Sequence, residues 1–207
     1  LTSGHSHESA ASGAATLLGT DPGQRALLSV RPDPARHGAT LSAIAELDVV
    51  FPLLHGTFGE DGTVQGLLEL AGIAYIGAGV LGSALGMDKG VFKEVVRAAG
   101  IPTLASFIAL RSEIEGDIES VVARAQALCN FPIFTKPANL GSSVGICKCR
   151  SADELRAGLR EAARYDRRVL VERGLDRPRE IEVSVLGNDT PLASVPGEIV
   201  PKDEFYS

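Results

Sequence analysis

Phe131-Pro-Ile-Phe-Thr-Lys-Pro-Ala-Asn-Leu-Gly-Ser-Ser-Val-Gly145 is the most informative segment of the chain. Its first half is a short aromatic and β-branched run that reads as a strand. That strand delivers Lys136 to its end, and Pro137 is expected to bar further pairing. Gly141, Ser142, Ser143 and Gly145 follow, four small residues within five positions. Such a turn can converge backbone N–H groups and hydroxyls on an anion. A lysine point charge beside it completes the outline of a phosphate site. The order differs from a P-loop, since the lysine precedes the glycines and no Gly-Lys-Ser/Thr triplet opens a helix. A β-hairpin turn with a surface lysine fits the same residues, and both readings stay open here.

Working outward, residues 101–110 read as a strand and 112–128 as one helix with a stripe at Ile114, Ile118, Val121, Ala125 and Leu128. After the glycine turn comes a strand at Val144–Cys149. A capping box at Ser151–Glu154 then opens a helix with Leu155, Leu159, Ala162 and Ala163 inside. Val169–Glu172 and Glu180–Leu186 are two further strands, joined by Arg173–Arg179. Upstream, Asp88 can cap a helix from Lys89 to Ala99, stopped by Gly100. Leu47–Leu54 is an apolar run expected to form a buried parallel strand. With a short helix closed by Gly72 and a strand at Ile73–Ile76, it makes a strand–helix–strand unit of α/β type. Residues 1–45 are rich in Gly, Ala, Ser and Pro and read as loop, with one strand at Ala26–Val30. The composition shift near Gly77–Gly86 marks the boundary between domains at 1–86 and 87–207.

The chain has 207 residues, 44% hydrophobic and 22% charged, with a net charge of −6. That is an ordinary globular composition, and no basic run with interleaved aromatics suggests nucleic-acid binding. No apolar stretch approaches 18 residues and no signal peptide is evident, so neither a membrane nor a targeting role is expected. The three cysteines, Cys129, Cys147 and Cys149, lack CxxC spacing and suggest reduced thiols in a cytosol. Cys147 and Cys149 lie two apart on a strand and face one side, as a zinc pair or as buried small side chains.

The residues with chemistry are few. Lys89 opens a helix and Lys136 ends a strand, so two ammonium groups could converge on a polyphosphate, or Lys89 could be a solvated surface lysine. Glu172 ends an apolar strand before Gly174-Leu175, an edge against which a nucleotide base sits well, or it is an exposed strand end. Glu180 could accept from ribose hydroxyls or form a surface salt bridge. His55 follows a strand where ligands collect in open parallel sheets, yet a structural histidine fits as well. Glu60 and Asp61 read as metal ligands or as turn and cap residues.

His55-Gly-Thr-Phe-Gly-Glu-Asp-Gly-Thr-Val-Gln-Gly66, Met87-Asp-Lys89, Lys136–Gly145, Glu180-Ile-Glu-Val-Ser-Val-Leu-Gly187 and Gly197-Glu-Ile199 occur in order. Together, over residues 47 to 206, they resemble the D-alanine–D-alanine ligases of the ATP-grasp superfamily. The resemblance implies an α/β protein: a pre-ATP-grasp parallel-sheet domain followed by an incomplete α+β ATP-grasp fold. It implies that Lys89 and Lys136 contact ATP phosphates and that Ser142 and Ser143 belong to a closing loop. Glu172 and the Leu175 backbone would hold adenine, and Glu180 the ribose. Ser142 would also orient the first substrate, with His55 near it, so these two carry the catalytic assignments. The implied reaction joins two D-alanines through an acyl phosphate for peptidoglycan precursors, with ATP and Mg2+ (or Mn2+), in a cytoplasmic homodimer.

On the same resemblance the chain reads as a fragment cut at both ends, and inactive by itself. The family continues past Ser207 into a lid with another tyrosine and lysine. Beyond it lie an arginine and an acidic, acidic, asparagine set for magnesium, so no metal ligand is assigned here. His7-Glu8-Ser9 with Ser12 lacks one residue of the family's His-Glu-Val-Ser motif, and Glu8 is given no role. The alternatives are a D-alanine–D-lactate ligase and a non-catalytic nucleotide-binding module.

Overall fold

The structure, a computed structural model, describes residues 15–33, 35 and 37–200. His7–Ser12 and Phe205–Ser207 lie outside them. The chain divides into two compact units, one up to Ala84 and one from Leu85.

In the first unit, β1 (Ala15–Leu18), β2 (Ala26–Asp33) and β3 (Gly38–Glu46) form an antiparallel sheet in that order. This corrects the loop reading of residues 1–45 over its described part. The expected strand at Ala26–Val30 is present but runs on through Pro32, and a second long strand returns beside it. The apolar run Leu47–Leu54 is a second correction. Only β4 (Val49–Val50) pairs, because Pro52 has no N–H to donate and the chain then leaves the sheet. Helix α1 (Thr63–Leu70) and β5 (Ala74–Tyr75) follow, and β5 lies parallel to β4. Leu68, Ala71 and Ile73 are buried here, with Val50, Val64 and Tyr75 packed on them. Helix α2 (Val80–Met87) spans the division between the units.

The second unit starts with α3 (Lys89–Ala98), whose first turn is capped by the Asp88 carboxylate accepting from Val91 N–H at 3.0 Å. Then come β6 (Ser106–Leu110), α4 (Arg111–Gly116), α5 (Ile118–Leu128), β7 (Ile133–Pro137), β8 (Cys147–Cys149), α6 (Ala152–Tyr165) and β9 (Arg168–Arg173). Short strands β10 (Glu180–Glu182), β11 (Val185–Leu186), β12 (Leu192–Ala193) and β13 (Gly197–Ile199) pair as β10–β13 and β11–β12. The single helix expected over 112–128 is two helices. Asp117 leaves helical geometry (φ −150°) and caps α5 by accepting from Ser120 N–H. The strand expected at Val144–Cys149 is confined to its last three residues.

The central sheet has the order β6-β9-β7-β8, antiparallel throughout. Pro137 does not end the pairing, since it stands opposite Val169 and Ala138 N–H still reaches the Arg168 carbonyl. Alternation along the strands gives the sheet two faces. Ile133, Thr135, Val169 and Val171 point into a core closed by Val121, Val122, Ala125, Leu155, Leu159 and Ala162 of α5 and α6. Full burial of each leucine contributes about 1.5–3 kcal/mol. Cys149 belongs to this core, where burial first, and then its neighbour Cys147, pushes the thiol up to about 11. Phe134, Lys136, Leu170 and Glu172 occupy the alternate positions of the two central strands.

Among the described residues no helix is long and apolar enough to cross a membrane.

Candidate nucleotide site

The alternate positions of β7 and β9 build the site. Phe134 stands opposite Glu172, and Lys136 opposite Leu170. Lys136 and Glu172 are therefore diagonal neighbours across the strand pair, within reach of each other. Lys136 Nζ donates to Glu172 Oε2 at 2.8 Å, and also stands 5.2 Å from the centre of the Phe134 ring. Glu172 is only 4% exposed, so it is not the solvated strand end that its position in the sequence allows. Its strand continues to Arg173, paired on both sides. The other carboxylate oxygen, Oε1, is held by Lys93 of α3. Burial pushes the Glu172 carboxyl up, but Lys136 and Lys93 more than reverse this and hold it below the ordinary range.

Sequence reasoning missed Lys93. The available signal was its place one helical turn after Lys89, which puts both ammonium groups on one face of α3.

Lys89 sits in the first turn of α3. Its backbone N–H donates to the Ala138 carbonyl at 2.9 Å, and its Nζ donates to the Leu140 carbonyl. Asp88, just before it, pairs with Arg168 of β9. The start of α3 is thus fastened to the segment between β7 and the glycine loop. Burial lowers the Lys89 pKa, and the positive charge of Lys136 lowers it further. Lys89, Lys93 and Lys136 share the cleft beneath α3 with one buried carboxylate, Glu172, an arrangement that an anion would suit.

The loop itself carries left-handed backbone at Ser142 (φ 53°), Ser143 (φ 56°) and Gly145 (φ 70°). At Gly145 the surrounding space demands glycine. A Cβ there would stand 2.7 Å from Tyr165 Cδ2 and 2.9 Å from Pro137 Cγ. Two consecutive non-glycine residues in this region cost about 1–2 kcal/mol each. Ser142 is exposed, and Ser143 lines the neighbouring cleft.

That cleft, about 370 Å³, is walled by Leu104, Phe134, Ile146 and Leu175, with Lys136, Glu172 and Glu180 among its polar groups. Apolar walls with a few polar groups are suited to a flat base and its sugar. A second cleft beneath α3 is lined by Lys89, Lys93 and Thr103 and shares Lys136, Glu172 and Leu104 with the first. The structure therefore gathers Lys136, Ser143, Glu172, Leu175 and Glu180 around one cleft and sets Lys89 in the adjoining one.

His55 belongs to the other unit, exposed in the segment after β4. Glu60 and Asp61 there serve as turn acceptors. Glu60 takes Gly56 N–H at 2.5 Å, and Asp61 takes Phe58 N–H at 2.8 Å and Thr63 N–H at 3.0 Å. Among the described residues no three His, Cys, Asp or Glu side chains cluster to hold a metal ion.

An antiparallel sheet backed by helices on one face, with lysines, a buried glutamate and a small-residue loop on the other, defines an ATP-grasp fold. Solved structures agree. The VanG D-Ala:D-Ser ligase from Enterococcus faecalis superposes with a TM-score of 0.74 at 33% identity, over 89% of this chain and 49% of its own. The D-alanine-D-alanine ligase from Coxiella burnetii does so at 0.70 and 37%, over 84% of this chain and 50% of its own. The family pattern described as D-ala D-ala ligase N-terminus matches residues 5–78, and that described as D-ala D-ala ligase C-terminus matches 95–207. The chain belongs to the D-alanine–D-alanine ligase family. The D-alanine--D-alanine ligase of Natranaerobius thermophilus is 48% identical over 183 residues, 86% of this chain and 50% of that protein. That of Acetivibrio thermocellus is 53% identical over 161 residues, 78% of this chain and 43% of that protein. The chain spans about half the length of the curated relatives it matches.

Proposed function

We propose that the protein carrying this chain joins two D-alanine molecules at the expense of ATP, supplying a precursor of peptidoglycan. The observation that carries the reading is Glu172, buried between Lys136 and Lys93 at a cleft with apolar walls. It sits in a chain about half identical to curated relatives bearing that name. A carboxylate is a poor electrophile, so the carboxylate of the first D-alanine takes the γ-phosphoryl group of ATP with release of ADP, and the amine of the second attacks the resulting acyl phosphate, forming the amide with release of inorganic phosphate.

The chain's own residues supply positioning and charge. Lys136 and Lys89 offset phosphate charge, Glu172 and the Leu175 backbone meet the adenine edge, and Glu180 accepts from the ribose. The loop bearing Ser142 and Ser143 closes over the phosphates and excludes water, with Ser142 also orienting the first D-alanine. His55 acts near that substrate. Magnesium or manganese accompanies ATP, and no residue of this chain is assigned to it. The proposal extends to a homodimer working in the cytoplasm.

Phosphate release by the full-length protein with ATP and D-alanine alone, compared with added D-lactate or D-serine, tests the reading. Turnover with D-alanine alone supports it. Turnover only when D-lactate or D-serine is added would assign a different second substrate, and ATP binding without turnover a non-catalytic module.

A further inference from the structure

Among the described residues Glu172 has two cationic partners, and they differ in what else they face. Lys136 reaches Oε2 and lines the base-binding cleft, with its side chain 24% exposed. Lys93 reaches Oε1 from α3, is 15% exposed, and lines the cleft beneath that helix together with Lys89 and Lys136. The two lysines hold different oxygens of one carboxylate, and of the two Lys136 is the one that lines the cleft proposed for the base.

This matters if Lys136 is to hold phosphate, as proposed above. A carboxylate this buried cannot be left without a cation, since stranding one partner of a buried pair is strongly unfavourable. Were Lys136 its sole partner, the lysine would stay on Glu172 and the phosphates would lose it. We infer that Lys93 is a positioning residue, holding Glu172 Oε1 so that Lys136 is free to exchange Oε2 for nucleotide phosphate. Its effect runs through Glu172, and it disappears when Glu172 carries no charge.

Calorimetric titration of the full-length protein with ATP reads this out. Lys93→Met should weaken binding by about tenfold or more, the loss of one charge-assisted contact. Lys93→Arg should restore most of the affinity. In a Glu172→Gln background, where no buried charge needs the lysine, Lys93→Met should change affinity by less than about twofold. Lys93→Gln carries the same expectations and replaces Lys93→Met should the latter fail to fold. Unchanged affinity in the single variant overturns the inference, as does an equal tenfold loss in the Glu172→Gln background. A wild type that binds no ATP would instead overturn the nucleotide reading itself.

Discussion

Gly158 lies inside α6, and replacing it by alanine sets two effects of opposite sign against each other. Alanine in a helix interior is favoured over glycine by about 0.5–1 kcal/mol. At Gly158 the added Cβ would stand 2.7 Å from Thr135 Oγ1, 2.9 Å from Cys149 Sγ and 3.0 Å from Cys147 Cβ. Two of these neighbours, Thr135 and Cys149, are fully buried on the sheet and have nowhere to go. Helix α6 must therefore lift from β7 and β8, and overpacking of this kind costs about 1–3 kcal/mol. At mid-range sterics win by about 1 kcal/mol, and thermal unfolding followed by circular dichroism should show a melting temperature lower by about 2–4 °C. Gly66 in α1, where a Cβ meets nothing within 4 Å, is the control. Gly66→Ala should raise the melting temperature by about 1–4 °C. A Gly158→Ala protein as stable as the wild type would refute the claim that α6 packs on the sheet at glycine distance.

Lys136→Ala in the full-length protein should weaken ATP binding by about ten- to hundredfold while leaving it folded, as titration calorimetry and circular dichroism would show. Unchanged affinity in a folded variant would leave Lys136 as an ion-pair partner of Glu172 and no more. Because the Glu172 pKa is depressed on folding, its ionised form stabilises the protein above the unfolded pKa near 4.5, and that stability fades as pH falls through the folded pKa. The melting-temperature gap between wild type and Glu172→Gln should therefore be constant at neutral pH and narrow only in acid. A gap that narrows with rising pH would contradict the charge assignment. Gly145→Ala forces a left-handed alanine against Tyr165 and Pro137 and should lower turnover by displacing the loop, read by steady-state kinetics.

The parts of this molecule that the sequence reveals are those written in local chemistry. Asp88 caps α3 and the Leu155–Ala163 stripe is buried, because a cap and a helical period are read from adjacent residues. The same locality misleads over 112–128. There an apolar period runs through Gly116-Asp117, and the cap formed by Asp117 outweighs it. The β1–β3 sheet hides in a Gly-, Ala- and Ser-rich composition, since its β3 strand is exposed along its length and carries little apolar signal. In the site, Lys136 and the glycine loop are legible as one contiguous motif. Lys93 is not, because its partner lies 79 positions away and only the packing of α3 near β9 brings them together. Glu172 looks like a strand end in sequence because the apolar run stops there, whereas the paired strand goes one residue further.

ATP should lie along the face of β7 and β9. A crystal structure of the full-length protein with a non-hydrolysable ATP analogue would locate it. The base is expected between Phe134, Ile146 and Leu175, with its amine at Glu172 and with Lys136 swung from that carboxylate onto phosphate. An analogue bound elsewhere, or bound here with its phosphates pointing away from Lys136 and Lys89, would contradict this placement.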